Sequence, residues 1–224
     1  MANNFTEQKA NKAVIFDLDG TLIDSITDIT DCMNVMLSKY GYPVLTIEQM
    51  KKIVGYGAKN LVKHAIPVEL SEAELLERMN FYNDYYTASN SPKTKLFDGI
   101  AETLTELKKR GFMLAVLSNK PQETTDNVND IYLKGLGFAA VCGQSEKVKC
   151  KPDPSGVNYI LETLKVSPEN AYFVGDGDTD VMTAKNAGIK CISVLWGNRT
   201  KGELEKVGAT VFAENPSDIL KVIF

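Results

Sequence analysis

Short runs of consecutive apolar residues alternate along the chain with stretches in which apolar residues recur every three or four positions. The short runs predict buried β-strands at residues 12–16, 112–117, 138–142, 171–174, 190–195 and 210–213. The periodic stretches between them predict amphipathic helices. Continuous apolar strands that alternate with helices are typical of a mostly parallel sheet covered on both faces, so the sequence predicts an α/β fold.

The alternation is interrupted directly after the first predicted strand. From Ile23 to about Tyr86 the apolar spacing is helical, and no alternating strand pattern occurs. The helices of this stretch are predicted at residues 26–40, 46–54, 61–66 and 71–86. The segment Ser-Glu-Ala-Glu at 71–74 is predicted to form a capping box at the start of the last helix. The pattern therefore predicts a helical insert at residues 23–93, placed between two parts of one core, residues 1–22 and 94–224.

Polar side chains follow three of the predicted strands at the point where each strand ends. Asp17 and Asp19 follow the first strand, Ser-Asn-Lys at 118–120 follows the second, and an acidic run at 175–180 follows the fourth. The carboxyl ends of parallel strands meet at one edge of a sheet, so we expect these residues around one crevice. Oxygen-only ligands favour Mg²⁺, which typically acts together with substrate phosphates. The residues alone therefore predict Mg²⁺-dependent handling of a phosphate.

Composition and charge argue against several other classes of function. With 224 residues and a net charge of −4, the chain lacks the basic balance that a sequence-independent nucleic-acid binder needs. No stretch approaches the length of a membrane-spanning helix, and the first nine residues lack an apolar signal core, so we expect a cytoplasmic protein without membrane partners. The four cysteines are scattered and only one histidine is present, which indicates reduced thiols rather than a zinc site.

Four short motifs resemble those of the haloacid dehalogenase-like phosphohydrolases, and they occur in the order found in that family. They are Asp-Leu-Asp-Gly-Thr at 17–21, Ser118, Lys151-Pro152, and Gly175-Asp176 with Asp180. Within this superfamily, residues 167–199 are most similar to the phosphoglycolate-phosphatase-like branch. The resemblance implies a Rossmann-like three-layer core with a mostly parallel sheet, and a small all-helical cap domain inserted after the first strand.

The resemblance also implies a role for each motif residue. Asp17 would attack the phosphorus atom and form an aspartyl-phosphate. Asp19 would protonate the leaving oxygen and then take a proton from the hydrolytic water. Ser118 would donate a hydrogen bond to a phosphoryl oxygen, and Lys151 would balance the negative charge of Asp17 and of the phosphoryl group.

A Mg²⁺ site is implied in the same way. Its ligands would be the Asp17 carboxylate, the backbone carbonyl of Asp19 and the Asp176 carboxylate. Asp180 would orient the metal-bound waters or brace the motif lysine. Asp178 adds a further acid to this run, and we interpret it as a solvated turn residue.

Three residues are candidate ligands for the substrate, namely Thr21, Asn119 and Lys59. Lys59 lies in a glycine-flanked turn at 55–60, whose backbone N–H groups could face an anion and whose lysine could meet a substrate carboxylate. A plain turn between two helices is an equal alternative for this segment. The tyrosines between 82 and 86 are interpreted as the core of the insert rather than as a stacking surface.

Together these features predict a Mg²⁺-dependent phosphatase that hydrolyses a small phosphorylated metabolite, with phosphoglycolate as the leading substrate. The same core suits inorganic pyrophosphate, a sugar phosphate, a nucleotide monophosphate or a phosphomutase reaction. An alternative of another class is a non-catalytic regulatory protein, whose signature would be loss of the nucleophile or of the acid, but Asp17 and Asp19 are both present. A monomer and a homodimer are both compatible with the sequence.

Overall fold

A six-stranded parallel sheet runs through the centre of the protein in a computed structural model, which describes residues 11–224. The strands, numbered along the chain, are β1 (Lys12–Phe16), β2 (Ile23–Asp24), β3 (Lys95–Leu96), β4 (Phe112–Pro121), β5 (Phe138–Gln144), β6 (Ala171–Gly175), β7 (Lys190–Val194) and β8 (Phe212–Ala213). The order in the large sheet is β5-β4-β1-β6-β7-β8, and every neighbouring pair is parallel. The predicted α/β fold is confirmed.

Helices cover both faces of this sheet and fill the stretch after β1. They are α1 (Ile26–Lys39), α2 (Ile47–Ile53), α3 (Ala58–Ala65), α4 (Glu72–Ala88), α5 (Ile100–Lys109), α6 (Gln122–Val128), α7 (Ser155–Leu164), α8 (Asp178–Ala187), α9 (Lys201–Lys206) and α10 (Asp218–Ile223). A π-helical turn at Asn129–Leu133 continues α6, and a 3₁₀ turn at Pro168–Asn170 precedes β6. The predicted capping box at Ser71 is formed with Glu74, and α4 begins directly after it.

β1 lies in the middle of the sheet, between β4 and β6. Its side chains Ala13 to Phe16 are fully buried, so the strand is apolar on both faces instead of alternating. Val14 and Phe16 pack into the apolar cluster on one face, and Ile15 packs into the cluster on the other. From β1 the chain first builds the sheet outward through β4 and β5, and it then returns to the other side with β6. Such a reversal of strand order places the ligand crevice of a parallel sheet at the carboxyl end of β1.

The helical insert (residues 23–93) leaves and rejoins the core at one place. β2 pairs antiparallel with β3, so the two chain crossings lie side by side. The buried carboxylate of Asp28 accepts hydrogen bonds from the backbone N–H of Lys93 at 2.9 Å and from the hydroxyl of Thr94 at 2.7 Å, which ties the crossings together. Strands of two residues leave no alternating pattern, which is why the sequence did not predict this ribbon.

The division into a core and a cap domain stays a prediction. Its boundary at residues 1–22 falls partly on residues 1–10, which lie outside the described part of the chain. On one face of the sheet, the apolar cluster continues from Phe16 of β1 into Met33 and Leu37 of α1 without interruption. In the described part of the chain, no helix combines the length and the apolar character that crossing a membrane requires.

Candidate active site

Four acidic residues and a lysine meet at the carboxyl end of β1. The backbone N–H of Asp17 donates to the carbonyl of Val174 in β6 at 2.8 Å, so the sheet pairing continues to the start of the acidic loop. Carboxylate oxygens of Asp17, Asp176 and Asp180 all lie within 4.8 Å of one another. The predicted meeting of these strand ends in one crevice is therefore observed.

Lys151 is held between two of these carboxylates. Its Nζ lies 2.6 Å from Oδ1 of Asp17 and 2.6 Å from Oδ1 of Asp180, and its side chain is only 2% exposed. Its backbone N–H donates to the side-chain oxygen of Asn119 at 2.7 Å, which fixes the loop before α7 against the end of β4. Burial lowers the pKa of Lys151, but the charges of Asp17 and Asp180 outweigh this effect and hold the pKa above its ordinary value.

The single positive charge of Lys151 does not neutralise the negative charges of the three carboxylates around it. Burial, and then the negative charge of Asp180, raise the pKa of Asp17 to about 7, although Lys151 opposes the shift. Burial and the charge of Asp17 likewise raise the pKa of Asp176 to about 6. Burial is the main reason that the pKa of Asp180 is also raised. A cluster that disfavours its own negative charge is stabilised by an additional cation, and these oxygen ligands suit a hard divalent ion.

Asp176 is oriented by hydrogen bonds to both of its oxygens. Thr21 donates through its hydroxyl to Oδ1 at 3.0 Å, and the backbone N–H of Asn198 donates to Oδ2 at 2.7 Å. A Cβ at Gly20, where φ is +82°, would lie 2.3 Å from Oδ2 of Asp176, so only glycine fits this turn. The hydroxyl of the fully buried Thr21 donates to Asp176, and the predicted contact of Thr21 with the substrate stays a prediction.

Asp180 contacts Lys151, as expected for one of the two roles that the sequence left open, and its role toward metal-bound waters stays a prediction. It is fully buried, its Oδ1 holds Lys151, and its Oδ2 accepts the backbone N–H of Gly177 at 2.8 Å. A Cβ on Gly175 would lie 2.3 Å from Oδ2 of Asp180, so the glycine at the end of β6 permits this close approach. The acid connects the first turn of α8 to the lysine.

Asp19 is held through both of its carboxylate oxygens. Oδ2 lies 2.7 Å from Nζ of Lys120, and Oδ1 accepts a hydrogen bond from the hydroxyl of Ser25. Burial lowers the pKa of Lys120, but the charge of Asp19 outweighs it and the pKa lies above its ordinary value.

The sequence places Lys120 at the end of a strand but does not predict a functional role for it. The available signal was its position directly after Ser118 and Asn119.

Ser118 and Asn119 differ in what they offer the crevice. Ser118 is 3% exposed, lines the cavity, and accepts the backbone N–H of Lys120 at 3.2 Å through its hydroxyl oxygen. The side-chain amide of Asn119 donates to the carbonyl of Gly55 at 2.8 Å, in the helical insert. Asn119 therefore links the loop of Lys151 to the insert, and only its backbone remains as a candidate substrate contact.

The opposite wall of the cavity comes from the helical insert, is mostly apolar and carries no charged side chain among the described residues. The cavity has a volume of about 70 Å³. Residues of the insert that line it are Ile29, Val54, Gly55, Gly57, Ala58, Leu61, Tyr82, Asn83 and Tyr86. Parts of the predicted turn at 55–60 thus face the site, but Lys59 does not. Its Nζ pairs with Oε2 of Glu72 at 3.0 Å on the exposed surface, and its predicted contact with a substrate carboxylate stays a prediction.

Two side chains from the sheet loops hold the end of α2. Arg199 donates through Nη2 to the carbonyl of Val54 at 2.8 Å and through Nη1 to the carbonyl of Lys51. Asp178 accepts a hydrogen bond from the hydroxyl of Tyr56 at 2.7 Å and lies 3.7 Å from Nε of Arg199. The interpretation of Asp178 as a solvated turn residue was wrong, because the residue joins the core to the insert.

Comparison with known families agrees with this geometry. The family model described as haloacid dehalogenase-like hydrolase matches residues 14–194, which include all four motifs. The chain belongs to the haloacid dehalogenase-like hydrolases.

Relatives match this chain over most of its length. The chain is 32% identical to Phosphoglycolate phosphatase 1 of Pseudomonas aeruginosa, over 98% of this chain and 82% of that protein. It is 29% identical to the phosphoglycolate phosphatase of Vibrio parahaemolyticus, over 96% of this chain and 97% of the relative. A crystal structure of a candidate phosphoglycolate phosphatase from Lactobacillus delbrueckii subsp. bulgaricus superposes with a TM-score of 0.89 at 28% identity, over 96% and 99% of the two chains. The resemblance to the phosphoglycolate-phosphatase-like branch is thereby confirmed.

Proposed function

We propose that this haloacid dehalogenase-like hydrolase is a Mg²⁺-dependent phosphatase that acts on a small phosphorylated metabolite through an aspartyl-phosphate. The observation that carries the proposal is the cluster at the end of β1, where Asp17 lies beside Lys151 and close to Asp176. The names of the relatives support phosphoglycolate as the leading substrate.

The residues present fit a magnesium ion. The carboxylates of Asp17 and Asp176 and the backbone carbonyl of Asp19 would hold it, since the two carboxylates offer oxygens within 4.8 Å of each other and their raised pKa values indicate unbalanced negative charge. When bound, the ion would neutralise negative charge on Asp17 and on the phosphoryl oxygens. Thr21 and Asn198 orient Asp176 for this contact.

The protein groups can carry out both halves of the reaction. A carboxylate oxygen of Asp17 attacks phosphorus, the bond from phosphorus to the leaving oxygen breaks, and Asp19 gives that oxygen a proton. In the second half, Asp19 takes a proton from water, the water oxygen bonds to phosphorus, and the bond to Asp17 breaks to release inorganic phosphate. Lys151 and Ser118 lie where they can bind phosphoryl oxygens, because both line the cavity beside Asp17.

Release of inorganic phosphate tests this proposal directly. The substrates are 2-phosphoglycolate, pyrophosphate, glucose 6-phosphate and AMP, each with Mg²⁺ and with EDTA. We expect Mg²⁺-dependent release that is fastest for 2-phosphoglycolate and is lost in Asp17→Asn by about 10⁴-fold or more. The exposed Asp84→Asn on α4 is the matched control and should behave as wild type. Equal activity of Asp17→Asn and wild type would refute the mechanism, and phosphate transfer to a sugar phosphate without release would indicate a phosphomutase.

A further inference from the structure

We propose that Lys120 and the hydroxyl of Tyr86 form a subsite for a carboxylate on the leaving group, which selects short phosphorylated hydroxy acids as substrates. The inference rests on the proposed phosphatase function and extends it, because it names the side chains that recognise the part of the substrate that leaves.

Lys120 lies on the side of the cavity where the leaving group would lie. Its Nζ is 2.7 Å from Oδ2 of Asp19, the residue proposed to protonate the leaving oxygen. The same Nζ lies 4.7 Å from the centre of the Tyr86 ring, so the ammonium group is at the junction between the core and the helical insert. An ammonium group has three hydrogen-bond donors, and Asp19 accepts one of them. Lys120 can therefore keep its contact with Asp19 and bind a second carboxylate from the cavity that it lines.

Tyr86 supplies an independent observation that points to a ligand. The residue is 4% exposed and lines the cavity, and its buried hydroxyl lies near Lys120 and Ser91 without a well-aligned hydrogen bond to any of residues 11–224. Buried hydroxyl groups are rarely left without a partner, because their desolvation is then not compensated. A substrate oxygen in the cavity would provide the partner. A carboxylate has two oxygens and can accept from the tyrosine and from Lys120 at the same time.

Each of the other cations of the cavity wall is held by at least two acceptors, whereas Lys120 has one carboxylate partner, Asp19. Lys151 is held by Asp17 and Asp180, and Arg199 donates to two backbone carbonyls at the end of α2. Among the described residues, the insert contributes no charged side chain to the cavity wall. Lys120 is thus the lysine positioned to meet an anionic leaving group, and the small cavity of about 70 Å³ favours a short one.

The test compares two substrates that differ in the carboxylate. We would measure kcat/KM for 2-phosphoglycolate and for ethyl phosphate in wild type, Lys120→Met and Tyr86→Phe, with Mg²⁺ present. Wild type should prefer 2-phosphoglycolate. The ratio of the two kcat/KM values should fall about 100-fold in Lys120→Met and about tenfold in Tyr86→Phe, since a charged and a neutral hydrogen bond are lost. Each ratio uses the same two substrates, so their difference in intrinsic reactivity cancels.

Controls separate recognition of the carboxylate from other effects. Tyr85→Phe alters the neighbouring residue on α4, which is 41% exposed and outside the cavity wall, and it should keep the wild-type ratio. If both variants slow the two substrates equally, Lys120 only positions Asp19 and the inference is wrong. A wild type without preference for 2-phosphoglycolate would also overturn it. If Lys120→Met does not fold, the ratio of the two kcat/KM values in Tyr86→Phe decides whether the inference holds. Absence of hydrolysis of either substrate by wild type would instead refute the proposed function.

Discussion

The two walls of the cavity are built in different ways. The wall formed by the sheet loops carries ionised side chains, and each of them is held by others: Lys151 by two aspartates, and Asp176 by Thr21 and Asn198. The wall formed by the helical insert consists of apolar and aromatic side chains and glycines, and only Asn83 and the tyrosine hydroxyls are polar among its side chains.

This difference has a physical cause. Buried charges are tolerated only where partners stand at fixed distances, and the ends of neighbouring parallel strands provide such positions. The insert joins the core through the short ribbon of β2 and β3, through hydrogen bonds such as those of Arg199, and through the apolar cluster that it shares with β1. We infer that the sheet loops supply the chemistry, and that the insert and the residues at its border select the substrate.

Among variants that keep Asp17, the largest effect is expected at Asp19, on the wall formed by the sheet loops. With p-nitrophenyl phosphate, whose leaving group needs no proton, Asp19→Ala should still form the aspartyl-phosphate but hydrolyse it slowly. We expect kcat to fall by about 10³-fold, because general base catalysis is lost. Mass spectrometry of the quenched protein should show a phosphorylated Asp17. Undiminished turnover would contradict the assignment of Asp19, and Asp84→Asn serves again as the control for the assay.

A smaller effect is expected on the stability of the metal-free protein, whose free energy of unfolding should depend on pH. In the unfolded chain Asp17 and Asp176 lose their protons near pH 4, whereas in the folded protein they keep them to pH values of about 7 and 6. The folded state thus binds more protons across this range, so its free energy of unfolding should decrease by several kcal/mol as the pH rises from 4 to 7.

Thermal denaturation with EDTA and with Mg²⁺ at pH 5 and pH 8 checks this sign. The melting temperature of the metal-free protein should be lower at pH 8, and Mg²⁺ should raise it more at pH 8 than at pH 5. Asp176→Asn should flatten the pH dependence and reduce the effect of Mg²⁺. A wild type and an Asp176→Asn variant with the same pH profile would show that these carboxylates do not set it.

The contacts that hold the insert should affect binding more than chemistry. Arg199→Met removes the hydrogen bonds to the carbonyls of Lys51 and Val54, so we expect KM to rise by about tenfold with a smaller change in kcat. Tyr56→Phe removes the hydrogen bond from the Tyr56 hydroxyl to Asp178. Because only one hydrogen bond is lost, KM should rise by a few-fold at most. Arg110→Met removes a surface pair with Glu106 and is the control. A fall in kcat without a change in KM would instead indicate that Arg199 acts in the chemical step and not by holding the insert.

The smallest effect is expected for Lys59. Its pair with Glu72 is exposed, with 60% and 86% of the two side chains accessible, so Lys59→Met should change kcat/KM for 2-phosphoglycolate by less than about twofold. Steady-state kinetics beside Lys120→Met provide a direct contrast between an exposed and a buried lysine. A loss for Lys59→Met as large as that for Lys120→Met would mean that the insert presents a charge to the substrate after all.

Much of the fold was predictable because the signals are local. The strand runs, the helical spacing of the insert and the capping box at Ser71 each depend on residues close together in sequence, and the structure contains them. The ribbon of β2 and β3 and the π-helical turn after α6 were missed, since two-residue strands and single turns leave no periodic pattern.

The sequence by itself determined the parallel sheet and the gathering of Asp17, Asp19, Asp176 and Asp180 at one edge, because residues that directly follow buried parallel strands must meet there. Only the tertiary structure decided which partner each side chain takes. The hydroxyl of Thr21 donates to Asp176, and Lys59 pairs with Glu72. Lys120 pairs with Asp19 and lies over the ring of Tyr86. These choices depend on distances between segments far apart in the chain, so no pattern within one segment could have predicted them.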